Sequence, residues 1–552
     1  MECWARLPAN GRHAFILASD SNPILVDAPG VFSQKEINEG MKDDSQHSTS
    51  IWMATADTPS QPKLTDDIRA DVCIIGAGIA GMTTAYLLTS EGRSVVVLDD
   101  GPIGGGMTGR TTAHLTNAFD DRYMEIEKLH GHDGARLTAE SHTAAIDKVE
   151  EIIGREKIEC DFERLDGFLF VPPGDSKKVL DEELAAVHRA GLLEVEKVDR
   201  VPIDSFDTGP ALRFPQQAQF HPLQYLAGLT TATLRQGGQV FTATHATKFE
   251  GGSSARIETE NGSVVTCDAI VVATNSPVND LVAIHTKQAP YVTYVIGVRI
   301  PQGSVPRALY WDTPDPYHYL RIQSAGEDKA GPHDVLIVGG EDHKTGQEND
   351  ANRRYGILER WTRERFPQMG EVEFRWSGQV MEPVDSLAFI GRNPLDADNV
   401  FIATGDSGQG MTHGTIAGIL LTDLIQRRKN DWERIYDPSR ITLRSLPEFA
   451  RDNINVAEQF ADYATAGDVD ALNEIKADEG AIMRHGLSKI AVYKDSSGKV
   501  HKLAAVCPHL GCIVAWNSFE KTWDCPCHGS RYDARGRVYN GPANSDLSSV
   551  DS

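Results

Sequence analysis

Long apolar runs and surplus positive charge are both missing from this sequence. No apolar stretch reaches the roughly 18 residues that a membrane-spanning helix needs, so the sequence predicts no membrane span. The formal net charge is -25, which argues against nucleic acid as a partner, since a phosphate backbone requires a basic face. The same charge disfavours binding to an anionic membrane surface.

Export signals are also missing near the N-terminus. The apolar stretch HAFILA is short, no cleavage site of the A-x-A kind follows it, and there is no twin-arginine motif. We therefore expect a cytoplasmic protein. Residues 1–64 are polar and are predicted to form an irregular tail, within which Met1, Met41 and Met53 are each a candidate start of translation.

Cysteine is scarce and unevenly placed. Of eight cysteines, Cys3, Cys73, Cys160 and Cys267 are scattered, which is typical of ordinary buried or partly buried thiols. The other four all lie between positions 507 and 527. Such clustering indicates a metal site or a disulfide.

The front of the chain carries a nucleotide-binding pattern, and at 552 residues the chain is long enough for several domains. DVCIIG is typical of a buried parallel strand, and MTTAYLLTSEG has helical spacing. Between them stand Gly76, Gly78 and Gly81, which permit a tight turn, close approach of a pyrophosphate, and close helix packing. The next strand ends at Asp99, 23 positions after Gly76, where a carboxylate can accept the ribose hydroxyls. The pattern predicts a dinucleotide site.

Two later glycine-rich segments favour FAD over NAD. GPIGGGMTGRTTAHLT (101–116) resembles the flavin-approach loop of the glycine/D-amino-acid oxidase (DAO) superfamily. FIATGDSGQGMTHGTIAGILLTDLI (401–425) resembles the closing FAD segment of that family, and the runs 240–247 and 268–277 look like two further strands of its fold. The alternative, an NAD-binding Rossmann dehydrogenase, does not explain the segment at 401–425. The resemblance covers about residues 68–440.

This resemblance implies a fold and a set of cofactor contacts. We expect an α/β FAD-binding Rossmann-like domain with a mixed-sheet substrate domain of the DAO type over residues 65–440, with the substrate parts at roughly 150–240 and 285–385. Residues 211–238 are predicted to form a loop and then a helix. The implied FAD contacts are Gly76, Gly78, Ile79, Ala80, Gly81, Asp99, Asp100, Gly106, Thr108, Arg110, Thr111, Thr112, Ala246, Ala273, Gly405, Gly408, Gly410, Met411 and Thr412.

An aromatic strand supplies the candidate catalytic residues. If PYHYLRI is a strand, Tyr317, Tyr319 and Arg321 share one face. Above a flavin, such a face could hold a carboxylate and an amine. The alternative is a core strand whose polar tips snorkel to water. His413, inside the closing FAD segment, is a further candidate for contact with flavin or substrate.

A lysine that would promote reaction with oxygen is missing. Sarcosine-oxidase relatives carry such a lysine, and our alignment places it near Ile337 or Val338. The nearest lysine that follows is Lys344, several positions on. This absence favours an electron acceptor other than oxygen.

The end of the chain changes character. After a linker at 441–469, short β-like runs between turns predict a small antiparallel β domain at 470–552. Its boxes CPHLGC and CPCHGS supply two thiolates and two imidazoles. The residue types alone leave open a structural zinc site, a Rieske [2Fe–2S] centre, or a disulfide with unrelated histidines. The four residues are Cys507, His509, Cys525 and His528.

Taken together, the two boxes closely resemble the Rieske family. The resemblance implies that the four residues just named bind the cluster, in an all-β Rieske domain. It implies that Cys512 and Cys527 form the disulfide that ties the two cluster loops together. A disulfide is unusual in the cytosol, but this one would be shielded by its own loops. Ser530 and Tyr532 match residues that donate hydrogen bonds to the cluster sulfurs and raise the potential.

The combination predicts an FAD-dependent amine or amino-acid oxidoreductase. Hydride transfer from a C–N carbon to FAD would be followed by passage of single electrons through the Rieske cluster to an unknown external acceptor. A Rieske potential, roughly -150 to +300 mV, is generally high enough to accept electrons from reduced flavin. A dehydrogenase is favoured over an oxidase.

Two other directions of electron flow stay open. In the first, electrons enter through the cluster and the protein is a reductase. In the second, oxygen is the acceptor and the Rieske module is structural or redox-sensing. A Rieske oxygenase is disfavoured, because the sequence offers no two-histidine, one-carboxylate site for a mononuclear iron.

Overall fold

A computed structural model describes residues 48–279, 283–328 and 331–550 of the chain. Within these ranges, no helix has the length and apolar character needed to cross a membrane. Five sheets, with the helices between them, build this part of the protein.

The last part of the predicted irregular tail is folded. Helix Ile51–Thr55 carries Trp52, which is fully buried and donates its indole N–H to Thr111 O at 2.6 Å. The prediction is therefore wrong for residues 51–55, because burial of one large aromatic side chain outweighs the polar composition around it. Residues 56–64 have no regular secondary structure. The earlier part of the predicted tail, with Met1 and Met41, lies outside the described residues.

The nucleotide-binding domain is built on a six-stranded sheet. Five strands are parallel, and the outermost runs antiparallel to its neighbour. Their apolar runs are buried on both faces, as expected for parallel strands covered by helices. In spatial order the strands are Phe389–Arg392, Val400–Thr404, Ala269–Val272, Val72–Ile75, Val95–Leu98 and Gln239–Phe241. The associated helices are Ile79–Ser90, Pro222–Arg235 and Gly410–Ile425.

One strand of a small four-stranded sheet precedes these strands in the sequence, and the other three lie between Gln239–Phe241 and Ala269–Val272. The small sheet consists of Ile68–Arg69, Val264–Cys267, Ala255–Thr259 and Ala246–Glu250. The strands predicted from DVCIIG and SVVVLD, and the helix that joins them, are confirmed.

The substrate domain is a nine-stranded mixed sheet. One strand pair is parallel, Leu309–Asp312 with Glu163–Phe170, and the other pairs are antiparallel. The remaining strands are Val372–Pro383, Gln288–Pro301, Gly331–Lys344, His318–Asp328, Ala211–Gln219, Glu196–Val198 and His114–Leu115. Its helices are Tyr123–Glu156, Lys178–Arg189 and Ala351–Arg365. Residues 211–219, predicted as a loop, form one of these strands.

The C-terminal domain contains two antiparallel sheets. The first consists of Glu479–His485, Ser488–Lys494 and Val500–Ala504, and the second of Ala515–Asn517, Thr522–Asp524, Arg531–Asp533 and Val538–Asn540. Short helices Glu433–Tyr436 and Leu446–Gln459 precede it. The all-β character of this domain is as the sequence predicts.

Candidate functional site

The first glycine-rich loop has the shape that its glycines predict. Gly76 has φ +105° and donates its N–H to Leu98 O at 2.8 Å. A Cβ on Gly76 would lie 2.4 Å from Ala273 O, and a Cβ on Gly81 would lie 1.9 Å from Gly76 O. Only glycine fits at these two positions. Helix Ile79–Ser90 begins at once, so its free N–H groups face the loop.

Asp99 closes this loop from the next strand. Its Oδ2 accepts from Ala77 N at 2.6 Å and its Oδ1 accepts from Gly101 N at 2.8 Å. Burial, with a smaller contribution from neighbouring Asp100, raises the pKa of Asp99 to about 7. Asp99 already accepts hydrogen bonds from two backbone N–H groups. Its contact with a ribose therefore stays a prediction.

The flavin-approach loop folds over the start of the same helix. Residues Met107–Arg110 form a 3₁₀ turn, in which the Thr108 hydroxyl accepts a hydrogen bond from Ile79 N at 3.1 Å. Gly104 N donates to Ala77 O at 3.1 Å. Two predicted cofactor segments thus lie side by side. The flanking predicted contacts are Gly106, Thr111 and Thr112.

The closing FAD segment reaches the same place from the other end of the chain. The Thr412 hydroxyl donates to Thr116 O at 3.2 Å. A Cβ on Gly414 would lie 2.5 Å from Ile79 Cγ2, so the two helices touch closely there. The turn and the first helical turn contain the predicted contacts Gly405, Gly408, Gly410, Met411 and Thr412. Three glycine-rich segments and two helix N-termini therefore form one cradle, which fits a dinucleotide carrying a flavin.

Two further predicted contacts lie on strands of the nucleotide-binding domain. Ala273 follows strand Ala269–Val272 and packs against Gly76. Ala246 begins the strand Ala246–Glu250, and its carbonyl accepts from Asn544 Nδ2 of the C-terminal domain at 2.9 Å. The C-terminal domain therefore contacts the nucleotide-binding domain at a predicted adenine contact.

Tyr317 and Tyr319 lie together, as the sequence predicts. Their ring centroids are 5.6 Å apart. The Tyr317 hydroxyl donates to Asp120 Oδ2 at 3.4 Å, and the Tyr319 hydroxyl lies 2.7 Å from Thr293 Oγ1. Burial raises the pKa of both phenols, so both are neutral hydrogen-bonding groups.

Arg321 does not complete this pair. Its Nη1 donates to three carbonyls and its Nη2 to the side chain of Gln323. The guanidinium is fully buried, lies 5.1 Å from the ring of Trp52, and has its pKa lowered to about 9 by burial. The suggestion that Arg321 holds a substrate carboxylate is not supported, because its hydrogen bonds are used to fix the backbone around Ala113. The three carbonyls belong to Thr112, Ala113 and Phe220.

His413 faces the protein interior. Its Nδ1 donates to Asp406 O at 2.8 Å, and its ring lies 4.8 Å from that of His142 and 6.0 Å from that of Phe119. Burial lowers the pKa of His413 to about 4, so the imidazole is neutral. These contacts favour a structural role over direct contact with substrate.

An acidic lining beside the closing segment was not predicted from the sequence. Its five carboxyl groups all have pKa values raised by burial, to about 7 for Asp120 and about 6 for Asp342 and Asp406. They are Asp120, Asp121, Asp342, Glu382 and Asp406. The pair Asp120–Asp121 directly after the flavin-approach loop was the available signal in the sequence.

The predicted cluster ligands are brought together by the two boxes. Cys507 and Cys525 are buried free thiols, and the rings of His509 and His528 are 4.9 Å apart. His528 Nδ1 is buried without a hydrogen-bond partner among the described residues. A buried imidazole nitrogen left open beside two thiols fits a metal cluster, since such a group is otherwise costly.

The other two cysteines form a disulfide. Cys512 and Cys527 are bonded, with Cα atoms 6.4 Å apart. Their sulfurs lie within 4.8 Å of that of Cys525, but bonded sulfurs are not available as thiolate ligands. Cys507 and Cys525 stay the predicted thiolate ligands. The Tyr532 hydroxyl lies 3.1 Å from Cys507 Sγ, while Ser530 Oγ accepts from Ala543 N at 2.9 Å.

One glutamine joins the two predicted redox sites. Gln379 is buried in strand Val372–Pro383, and its Nε2 donates to Gly529 O, in the second cluster box, at 2.9 Å. Its backbone N–H donates to Met107 Sδ, in the flavin-approach loop, at 3.0 Å. Asn540 of the C-terminal domain also donates to Gln379 Oε1.

The histidine edge of the cluster site faces the oxidoreductase domain. The ring of His285 lies 4.8 Å from that of His509 and 6.1 Å from that of His528. The two predicted ligands are only 8% and 5% exposed. Their edge is thus covered by the same chain.

A buried ion pair adds to this contact. Arg110 Nη1 lies 3.8 Å from Glu520 Oε2 of the C-terminal domain and donates to Ser48 Oγ at 2.7 Å. The guanidinium of Arg110, predicted to contact FAD, is therefore engaged at the domain contact.

Comparison with known sequences identifies both parts. The family model described as FAD dependent oxidoreductase (DAO) matches residues 71–424. The chain belongs to this family. The model described as Rieske [2Fe-2S] domain matches residues 466–551. The cofactors are accordingly FAD and one Rieske [2Fe–2S] cluster, and the NAD, zinc and simple disulfide alternatives are wrong.

Individual relatives agree with this assignment. The chain is 31% identical over 502 residues to the Bacillus subtilis (strain 168) protein YhfW, named as a Rieske 2Fe-2S iron-sulfur protein, and the match covers 91% of this chain and 97% of the relative. It is 27% identical to gamma-glutamylputrescine oxidoreductase of Escherichia coli (strain K12), over 69% of this chain and 90% of the relative. The structure of glycine oxidase from Geobacillus kaustophilus superposes with a TM-score of 0.54 at 17% identity, covering 68% of this chain and all of that chain. The last likeness concerns the fold alone.

Proposed function

We propose that this FAD-dependent oxidoreductase is a dehydrogenase for a small amine or amino acid and that its Rieske cluster is the outlet for the electrons. The observation that carries the proposal is the position of Gln379, which binds a loop of each redox site. The name of the Escherichia coli relative, a gamma-glutamylputrescine oxidoreductase, supports a substrate with an oxidisable C–N bond.

Bound FAD supplies two-electron chemistry by taking a hydride, and the cluster supplies one-electron transfer at roughly -150 to +300 mV. The chain itself holds and orients the groups. The glycine cradle positions the nucleotide, and Tyr317 and Tyr319 are proposed to orient the substrate as neutral hydrogen-bonding groups.

The environment of the cluster favours acceptance of electrons. Tyr532 lies within hydrogen-bond distance of Cys507 Sγ, and such donors raise the potential of a cluster. The covered edge at His285 favours transfer within the chain over direct docking of an external donor at the histidines.

The residues found in the strand where an oxygen-promoting lysine was expected support an electron acceptor other than oxygen. Ile337 and Val338 are fully buried, and Lys344 of the same strand binds Asp452 Oδ1 at 2.8 Å. Both observations favour a dehydrogenase over an oxidase.

Anaerobic mixing of the purified holoprotein with amines and amino acids tests the substrate class. We expect at least one amine to bleach the visible flavin band without oxygen. Failure of every amine and amino acid to do so, in protein whose flavin is still reduced by dithionite, would contradict the proposal. Titration of the two potentials separates this direction of flow from the reductase alternative, which requires the flavin potential to lie above that of the cluster.

A further inference from the structure

Five carboxyl groups, named above as the acidic lining, surround the closing FAD segment. Asp120 contacts Tyr317 at 3.4 Å and Gln409 at 3.3 Å, and a Cβ on Gly408 would lie 2.5 Å from Asp120 Oδ2. Asp406 Oδ1 accepts from Met381 N at 3.4 Å. All five keep some accessible surface although desolvation is the largest cause of each raised pKa. They therefore line a partly accessible region beside the flavin cradle.

A single hydroxyl stands between two of these groups. Ser407 Oγ lies 2.7 Å from Glu382 Oε2 and 3.1 Å from Asp121 Oδ2. The Ser407 hydroxyl can donate its one hydrogen to only one of these carboxylates at a time. Asp121 also has Ser386 and Arg122 as partners. Glu382 is therefore the group that needs a cationic partner when both are ionised, since an uncompensated buried charge is costly.

An open acceptor lies beside the same acids. Gln409 is 4% exposed, and its Nε2 donates to Ala118 O at 3.0 Å and to Asp120 Oδ1 at 3.3 Å. Because both neighbours are acceptors, the amide orientation is fixed. Its Oε1 has no hydrogen-bond partner in the described part of the chain. An unsatisfied buried acceptor next to a carboxylate calls for a donor from a ligand.

A metal ion does not fit this arrangement. Among the described residues, the only group of three metal-ligating side chains whose ligand atoms lie within 4.8 Å of one another consists of cysteines of the cluster boxes. The acidic lining therefore does not bring three ligand atoms to one point, which suits an extended cation better than a point charge.

The positive side chains near this lining that could receive a substrate carboxylate also bind other groups. Arg321 is held by backbone carbonyls. Arg122, which faces Asp121, donates to Thr313 O at 3.3 Å. Arg354, which faces Asp342, binds Asp350 Oδ1 at 2.6 Å. An α-amino acid would bring its carboxylate into a region of like charge.

We infer that the substrate is a linear diamine or polyamine, whose distal ammonium group binds the acidic lining while its other amine is oxidised. This inference rests on the proposed function. The reacting amine enters as the free base, its ammonium proton having passed to water. The carbon next to nitrogen then gives a hydride to FAD, leaving an iminium, which water hydrolyses to an aldehyde and ammonium. The electrons leave to a one-electron acceptor.

Anaerobic titration of the holoprotein with matched probes tests this. The probes are 1,4-diaminobutane, butylamine, D-alanine and glycine, with flavin bleaching as the readout. The diamine is expected to bind at least about tenfold more tightly than butylamine, because a buried charge pair carries that difference, and the amino acids are expected not to bleach the flavin. Equal affinity for diamine and butylamine would overturn the inference. Better reduction by D-alanine or glycine, or no bleaching by any of the four probes, would overturn it while leaving the proposed function intact, which fails only if every amine and amino acid leaves the flavin oxidised.

Two variants test whether the acidic lining causes the preference for the diamine over butylamine. Glu382→Gln is expected to reduce the diamine preference toward unity, whereas Asp175→Asn, at an exposed carboxylate, is expected to retain it. An undiminished preference in Glu382→Gln would overturn the assignment of the acidic lining. The visible spectrum reports whether FAD and cluster are retained, and Asp121→Asn tests the same pair if Glu382→Gln does not fold.

Discussion

The side-chain amide of Gln379 donates a hydrogen bond to the carbonyl of Gly529 at 2.9 Å. Gly529 directly follows the predicted ligand His528, and the backbone of Gln379 binds Met107 in the flavin-approach loop. A fixed hydrogen-bonded contact between the two redox sites follows from this geometry. If the cluster accepts electrons from the flavin, as proposed, this contact keeps the two sites together without docking of a separate domain.

Replacing Gln379 by methionine should slow transfer to the cluster relative to reduction of the flavin. The change keeps the volume but leaves the carbonyl of Gly529 without this donor, at a cost of about 1–3 kcal/mol, and leaves Asn540 Nδ2 with Gly541 O as its acceptor. Stopped-flow absorbance can follow flavin and cluster separately after anaerobic mixing with substrate.

Gln236→Met is the matched control, since Gln236 binds Thr89 and Ser90 in a different region. An unchanged ratio of the two rates in Gln379→Met would show that this contact does not couple the centres.

Tyr532→Phe should lower the potential of the cluster. The hydroxyl lies 3.1 Å from Cys507 Sγ, and loss of a hydrogen bond worth about 1.4 kcal/mol corresponds to about 60 mV for one electron. A redox titration monitored by EPR measures the shift. Tyr310→Phe, whose hydroxyl binds Pro306 O, should leave the potential unchanged, and an equal potential in Tyr532→Phe would reject the tuning role.

The features predicted well from sequence are those fixed by local rules. Glycine is required at positions 76 and 81 because the strand turns tightly into the helix there. The two cysteine boxes have a spacing that is typical of one shared cluster site, and a disulfide joins them. Such constraints act within a few residues. They can therefore be recognised without the rest of the fold.

The features that sequence analysis missed depend on distant partners. Residues 211–219 were predicted as a loop but form a strand, in which Gln217 and Gln219 are fully buried and Gln217 Oε1 accepts from Thr116 Oγ1 at 2.6 Å. The acidic lining likewise combines residues from four separate segments. Arg321 had the right residue type for a carboxylate, but only the tertiary structure shows that carbonyl groups already bind it.

Binding of a diamine should strengthen as pH rises through neutrality. Burial, with the charges of Asp121 and Asp342, raises the pKa of Asp120 to about 7, and the other close partners, Tyr317 and Gln409, carry no positive charge. A carboxyl with a raised pKa is protonated below that pH and ionised above it, while aliphatic amines stay protonated up to about pH 10.

The measurement is the dissociation constant of 1,4-diaminobutane divided by that of butylamine, each from the concentration dependence of flavin bleaching, at pH 6, 7 and 8. Loss of the proton from the reacting amine affects both compounds alike, so the ratio reports the distal ammonium group. The ratio should fall as pH rises, by up to about tenfold per unit for one proton. Asp120→Asn should flatten the profile of the ratio, and a flat profile in the unmodified protein would contradict the role of Asp120.

The central claim is that the cluster is the outlet for electrons from the flavin. Rapid-freeze EPR of the unmodified protein after anaerobic addition of a reducing amine tests it most directly, with His528→Ala as the variant that loses a predicted ligand. We expect a reduced-cluster signal after flavin bleaching in the unmodified protein. In His528→Ala we expect bleaching to persist, while the signal and transfer to an artificial one-electron acceptor are lost. Full-rate turnover of His528→Ala with that acceptor, or flavin bleaching that never produces a cluster signal in the unmodified protein, would contradict the claim.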